Sequence, residues 1–310
     1  MNLRELSLPA GWYPRSPEEI SRFLSGFAGG GSGKAAGGSG KAAVGSGKAA
    51  AESSPGGRAR GADLAAISPH AGWFFSGRIA ARAVSALDPD SQTLAIIGGH
   101  LPRGAPPLFA LEDAVETPFG PMPVDTELRD ALIGELAGRD DSFRDNTVEV
   151  LVPMVRFFFP EASLLWVRFP AEESSFEAGR ILAQTAAALK RKLAVLGSTD
   201  LTHYGDNYGF SPRGKGPDAH RWVREVNDAN FIRAVESGSP EAVLERAGRD
   251  RSSCSAGAVL GAMGFARALG AGPARLLEYG TSADAPGCGG PFDSFVGYGA
   301  LAFGPGKNRR

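Results

Sequence analysis

Cysteine is nearly missing from this chain: Cys254 and Cys288 are the only two in 310 residues. That is too few for a disulfide framework, so reduced thiols are expected. Long apolar runs are also absent. No stretch approaches the roughly 20 residues of a membrane helix, and the opening MNLRELSLPAGWYP contains no apolar core of a secretory signal. The expectation is a soluble, cytoplasmic protein with no membrane partner. Beyond a short RKL and an NRR tail there is no basic block, and 33 Lys and Arg balance 34 Asp and Glu, which argues against nucleic acid as a partner. Histidine is scarce as well, with four in the whole chain. The length is that of a large α/β domain able to bury a sizeable core.

Glycine is plentiful, and much of it lies in one segment. GSGKAA recurs three times at a seven-residue step, with its lysines at Lys34, Lys41 and Lys48. A phosphate-binding loop requires a glycine six residues before the lysine and a Ser or Thr after it. All of these positions hold alanine: Ala28, Ala35 and Ala42 before, and an alanine after each lysine. Residues 29–61 are therefore expected to be a flexible, mildly basic insertion. It would split a domain of residues 1–28 and 62–304, with 305–310 as a disordered tail.

Outside that segment, short apolar runs alternate with helix-period stretches. Strands are predicted at 64–68, 94–97, 164–168, 193–196, 275–279 and 295–303, and helices at 17–27, 77–87, 126–136, 176–191, 220–236 and 256–269. The alternation predicts a mostly parallel central sheet between helix layers, a single three-layer α/β domain. Ligands of such sheets collect at strand carboxyl ends. His70 follows the first strand in SPHAG, His100 follows IIGG, and His203 lies shortly after AVLGSTDLT. His220, in DAHRWVRE, reads as a helix-surface residue. Three histidines beyond strand ends can converge, and neutral imidazole is a common metal ligand. A third donor could be a carboxylate or a thiolate. RSSCSAGAVLGAM places Cys254 just before a small-residue helix, where helix amides favour the thiolate. Ser198, Asp200 and His203 also crowd together, but the G-x-S-x-G elbow of a hydrolase is absent.

PHAGWFFSG, IIGGH, GSTDLTHYG and SSC before a helix resemble, in order and context, the motifs of the MEMO family, whose bacterial members are also called AmmeMemoRadiSam system protein B. The likeness extends to GWYPRSPEEISRFL, ETPFGPMPVDTEL and YGTSADAPGCGGPFDSFVGYGALAF, and so covers nearly all of the chain outside the insertion. The resemblance implies a fold akin to the LigB-type class III extradiol dioxygenases, with an open vestibule. It implies a metal trio of His70, His100 and Cys254, where the dioxygenases have a glutamate in place of the cysteine. It implies an acid/base role for His203 beside Asp200, and it maps Cys288, near Asp293, onto a family cysteine facing the same cavity. Trp73, Glu149 and Tyr204 complete the expected vestibule residues, with Phe74, Phe75 and Phe119 as further aromatics and Arg78 as a contact for an anion.

The chain departs from the family's E-H-S-x-E-x-H-L-P pattern. In DNTVEVLVP, Glu149 and Pro153 remain, but Asn146 and Leu151 stand at the histidine positions. Two imidazoles and a thiolate suit iron(II), copper or zinc: soft-ligand preference leans to copper(I) or zinc, kinship to iron. Two functional readings follow. One is a metal-dependent, redox or dioxygenase-like protein acting on a small molecule. The other is a non-catalytic module that binds a peptide or a partner of the AMMECR or radical-SAM type.

Overall fold

The computed structural model describes residues 2–28 and 62–306. The predicted insertion at 29–61 lies outside the described residues, as do residues 307–310 of the predicted tail. The first two tail residues are paired: Pro305 bridges Ala271, and the Gly306 amide donates to Gly270 O at 3.1 Å.

Among the described residues twelve strands are formed: β1 (Leu3–Arg4), β2 (Ala65–Ser68), β3 (Thr93–Leu101), β4 (Leu108–Phe109), β5 (Ala114–Val115), β6 (Met122–Pro123), β7 (Arg139–Asp140), β8 (Ser163–Pro170), β9 (Leu193–Ser198), β10 (His203–Gly205), β11 (Arg275–Thr281) and β12 (Ser294–Phe303). The helices are α1 (Pro17–Ala28), α2 (Trp73–Ala86), α3 (Thr126–Leu136), α4 (Asn146–Glu149), α5 (Val152–Phe158), α6 (Ser174–Ala188), α7 (Pro217–Trp222), α8 (Asp228–Ser237), α9 (Pro240–Arg249) and α10 (Ala256–Ala268). A π turn at Val223–Asn227 joins α7 to α8.

The main sheet runs β10-β12-β2-β9-β3-β8-β4-β7, with β11 on β12. Its four central strands, β2, β9, β3 and β8, are parallel, while β12 joins β2, and β4 joins β8, in antiparallel fashion. The centre reads as continuous apolar sequence (AAIS, LAVLGS, SLLWVRFP) because both of its faces are covered. One face packs on α1, α2 and α5 through Ile20, Leu24, Ile79, Val84 and Val155. The other packs on α3, α6, α8 and α10 through Leu128, Leu182, Phe231 and Phe265. This is the three-layer α/β domain expected from the alternation.

Helix α10 fixes where the site forms. Its residues from Ala256 to Ala266 are all buried, because small side chains let it press between sheet and α6. A Cβ on Gly264 would stand 1.9 Å from Phe176 O, and one on Gly179 2.0 Å from Gly261 O. The backbones therefore approach as no larger residue would permit.

Several local expectations shift. Helix α2 begins at Trp73 rather than 77. The helix predicted at 220–236 becomes α7, the π turn and α8. His220 is not a plain surface residue: its ring stacks on Phe292 at 4.4 Å, and Nε2 lies 3.0 Å from Thr281 Oγ1. Helix α9 escapes apolar periodicity because Val243 is its one buried residue, although Ser239 caps it and Pro240 opens it.

Candidate metal centre

Register brings the motifs together. Strand β9 lies between β2 and β3, with Ile67 and Ile97 both opposite Gly197 and Ser68 opposite Ser198. The chain leaving β2 reaches His70 two residues after Ser68. On the far side of β9, β3 ends through Gly98 and Gly99 into His100. The two imidazoles therefore meet across the end of β9, with ring centroids 5.1 Å apart and planes at 87°. Asp200, two residues past β9, accepts the His70 amide at Oδ1 (2.8 Å) and stands beneath them.

Cys254 arrives from the opposite layer at the start of α10. Its amide donates to Asp200 O at 3.2 Å, and its Sγ accepts the Asp200 amide at 3.3 Å. The sulfur thus takes a backbone N–H from the β9 end rather than from α10. His70 Nε2 lies 3.3 Å from Sγ. One ligand atom from each of His70, His100 and Cys254 falls within 4.8 Å of the others. Around a single ion, ligands at about 2.0–2.3 Å stand roughly 3.3–3.7 Å apart at tetrahedral angles, so the residues fit a metal with little movement.

Charge in this corner is self-consistent. Burial alone would lower the His70 pKa, but Asp200 and Cys254 raise it above the ordinary value. His100 is pushed up to about 10: burial opposes the proton, and Asp145 and Cys254 more than offset that. The Cys254 thiol, despite burial, is held well below its usual range by His70 and His100. Burial keeps the Asp200 carboxyl above its usual range. Each ring's far nitrogen is engaged, His70 Nδ1 by Ser198 Oγ at 2.8 Å and His100 Nδ1 by Asp145 Oδ2 at 3.0 Å. This outer engagement is characteristic of metal-ligating histidines.

His70 and His100 line a cleft of about 640 Å³, within the usual range of small-molecule sites. His203 lines it too. Its ring stands edge-on to Tyr208 at 5.0 Å, and Nδ1 lies 3.2 Å from Leu201 O. A carbonyl only accepts, so Nδ1 carries the proton and Nε2 is the basic atom. Cys288 is half-buried on the same wall. Trp12, Phe75, Asn146, Tyr208 and Tyr298 also line the cleft, and sequence reasoning missed Trp12, Tyr208 and Tyr298. One tryptophan and two tyrosines carry no local mark of the direction they face.

Other expected vestibule residues are placed elsewhere. Glu149 is buried and anchors the N-terminal segment, accepting from the Ser7 and Leu8 amides (2.8 and 2.9 Å), Ser7 Oγ and Tyr13 Oη. Trp73 packs against Tyr13 and Phe23, and its Nε1 donates to Val150 O at 2.9 Å. Tyr204 stacks on Phe295 in a separate core cluster and donates to Gly214 O. Asp293 is exposed and does not line the cleft, and neither does Phe74 or Phe119. Arg78 pairs with Glu278 on the surface. Ser198 is fully buried and engages His70, not His203, so no Ser-His-Asp triad forms.

A family model described as Memo-like protein matches residues 4–302. A MEMO1 family protein of Pyrococcus abyssi is 30% identical over 252 residues, covering 76% of this chain and 85% of the relative. One from Methanosarcina mazei is 26% identical over 244 residues, covering 77% and 85%. Among solved structures, an uncharacterized protein from Escherichia coli K12 aligns over 77% of this chain and 99% of its own, with a TM-score of 0.44 and 14% identity.

Proposed function

This chain belongs to the Memo-like protein family, and on that ground we propose that it is a metal-binding protein which performs redox chemistry on a small molecule in its open cleft. The observation that carries the reading is the convergence of His70, His100 and Cys254, from three distant parts of the chain, with both imidazoles lining the cleft. His70 and His100 would hold the ion through Nε2 and Cys254 through Sγ. Iron(II) or copper is the favoured occupant, with zinc the redox-silent alternative. The bound ion would supply electron transfer and polarisation of a coordinated substrate atom.

The protein's own residues define the remaining work. His203 Nε2 would take a proton from a substrate hydroxyl and later return it. Asp200 holds the His70 backbone and keeps an acceptor near the trio. Trp12, Phe75 and Tyr208 offer apolar surface to orient a flat substrate and exclude water. No lysine or arginine lines the cleft among the described residues, which favours an uncharged substrate over a phosphorylated one.

Metal analysis of anaerobically purified protein tests the proposal. Stoichiometric iron or copper in the wild type, lost in the His70→Ala, Cys254→Ala double variant, is the expected result. Metal that persists unchanged in the double variant removes the site.

The second reading, a module for a peptide or an AMMECR-type or radical-SAM partner, draws on the aromatic rim of the cleft. Titration of a purified partner of either type onto metal-free protein separates the two. Tight binding indifferent to the His70→Ala, Cys254→Ala change favours the module.

A further inference from the structure

The two imidazoles have chemically different supports. Behind His70 stands the Ser198 hydroxyl, which can donate or accept. Behind His100 stands a carboxylate at the end of a buried ionic chain. Trp166 Nε1 donates to Asp141 Oδ2 at 2.8 Å, and Arg168 Nη1 donates to Asp141 Oδ1 at 3.1 Å. Arg168 Nη2 then reaches Asp145 Oδ2 at 3.3 Å, while its Nε donates to Gly99 O at 2.9 Å. Asp141 and Arg168 are 0% and 4% exposed, so the charges are held where desolvation makes them expensive.

Every hydrogen-bond direction around Asp145 is forced. Thr147 Oγ1 accepts the Gly99 amide at 3.2 Å and gives its own proton to Asp145 Oδ1, which also accepts the Thr147 amide at 2.8 Å. With Oδ1 so engaged, the carboxylate cannot rotate. Oδ2 then faces His100 Nδ1 and the Arg168 guanidinium, and it can only accept. His100 itself adopts a left-handed backbone, φ 58°, which costs a non-glycine residue about 1–2 kcal/mol. That conformation is held by contacts rather than by local preference.

We infer that Asp145, locked by Arg168 and Thr147, is the positioning residue for His100: it keeps the proton on Nδ1, so that Nε2 is the nitrogen that gives up its proton and offers its lone pair to the ion. Two carboxylates around one guanidinium also leave one net negative charge behind this ligand, which strengthens it as a donor. The inference rests on the metal-site reading above and goes further than it, because it assigns the tautomer of one ligand to a named carboxylate.

Asp145→Asn tests it with little change of shape. Asparagine still caps α4 as well as aspartate does, and its oxygen can still accept from Thr147. Its amide nitrogen then faces both the Arg168 guanidinium, which loses an acceptor, and His100, which must accept at Nδ1, move its proton to Nε2 and lose the ligand lone pair. With Zn(II) as the probe on the full-length protein, competition against a chromophoric chelator should show about a 10- to 100-fold loss of affinity. Asp145→Glu, which restores a carboxylate, should recover part of it. Long-range ¹⁵N–¹H spectra of Zn(II)-loaded wild type should place the His100 proton on Nδ1, a readout that a merely structural role would not set and that holds even if the variant misfolds. Unchanged affinity in Asp145→Asn, in a protein where His100→Ala weakens binding, overturns this inference alone, as does a proton found on His100 Nε2 in the wild type. Wild type that binds no Zn(II), or binding indifferent to His100→Ala, removes the metal-site reading and this inference with it.

Discussion

His70 and His100 reach the same cleft from the two strands that flank β9, but different forces hold the two approaches. On the His100 side the backbone is wedged: a Cβ on Gly99 would stand 2.3 Å from Ser255 Cβ and 2.9 Å from Ser255 Cα. The distance from β3 to Cys254, just before α10, is thus set by a missing side chain. On the His70 side the turn into α2 has room, since a Cβ on Gly72 would find its nearest neighbour, Trp12 O, at 3.5 Å. There the ring is held by a hydrogen bond to Ser198 and the His70 backbone amide by one to Asp200. One half of the site is thus governed by packing and a buried ionic chain, the other by a hydrogen-bonded turn.

The sharpest way to break that contrast is at the two glycines. Gly99→Ala should cost about 3 kcal/mol, as overpacking against backbone does, and should lower metal affinity with it. Gly72→Ala, with φ at −53°, should stay within about 1 kcal/mol. Urea unfolding midpoints measure both. Similar midpoints would dissolve the proposed asymmetry.

Next in size is a buried carboxylate beneath the loop that carries Asp200 and His203. Asp228 Oδ1 accepts from the Thr202 amide (3.0 Å) and Oγ1, and Oδ2 accepts from Tyr279 Oη at 2.7 Å. Burial pushes the carboxyl up to about 6, although the hydrogen bonds from Thr202 and Tyr279 and the nearby His203 favour its charge. A carboxyl raised from 3.8 contributes stability that is fully present below pH ~3.8 and lost as pH rises through ~6. The difference is worth about 3 kcal/mol. Asp228→Asn should therefore gain on the wild type by up to that amount between pH 4 and pH 8, read as the difference of their unfolding free energies. A difference that stays flat with pH would show that the carboxyl titrates normally in the folded protein.

The smallest effect falls on the far end of α4, whose cap is Asp145. Glu149→Gln replaces one acceptor oxygen of the N-terminal anchor with a donor facing donors, at a cost of about 1–2 kcal/mol. Zn(II) affinity should stay within about twofold, because Glu149 touches neither imidazole. A tenfold loss of metal with unchanged stability would return Glu149 to the cleft.

Much of this was legible along the chain. The central strands and α1, α3, α6 and α10 follow from hydrophobic period; of the three histidines expected beyond strand ends, His70 lies past β2, while β3 runs on through His100 to Leu101 and His203 opens the short strand β10. Other roles had no local signal. Trp73 and Tyr204 are aromatic residues inside motif segments, and only packing decides that they face cores rather than the cleft. Glu149 carries no mark that Ser7, Leu8 and Tyr13 will arrive to consume its oxygens. Asp145 and Arg168 lie 23 positions apart in sequence, so their meeting behind His100 belongs to the β3–β8 pairing and the turn at α4, not to either segment. No helix among the described residues is long and apolar enough to cross a membrane, in keeping with the absence of apolar runs.

By itself the sequence determined the alternation of elements, and with it the rule that side chains just past strand ends gather on one edge of a sheet. Which of those ends become neighbours was left to the tertiary structure. The order β2-β9-β3 sets two imidazoles astride Asp200, and glycine-lined packing of α10 delivers a sulfur from more than 150 residues away along the chain. Strand order and interhelical distance are sums over many non-local contacts, and no local pattern encodes them.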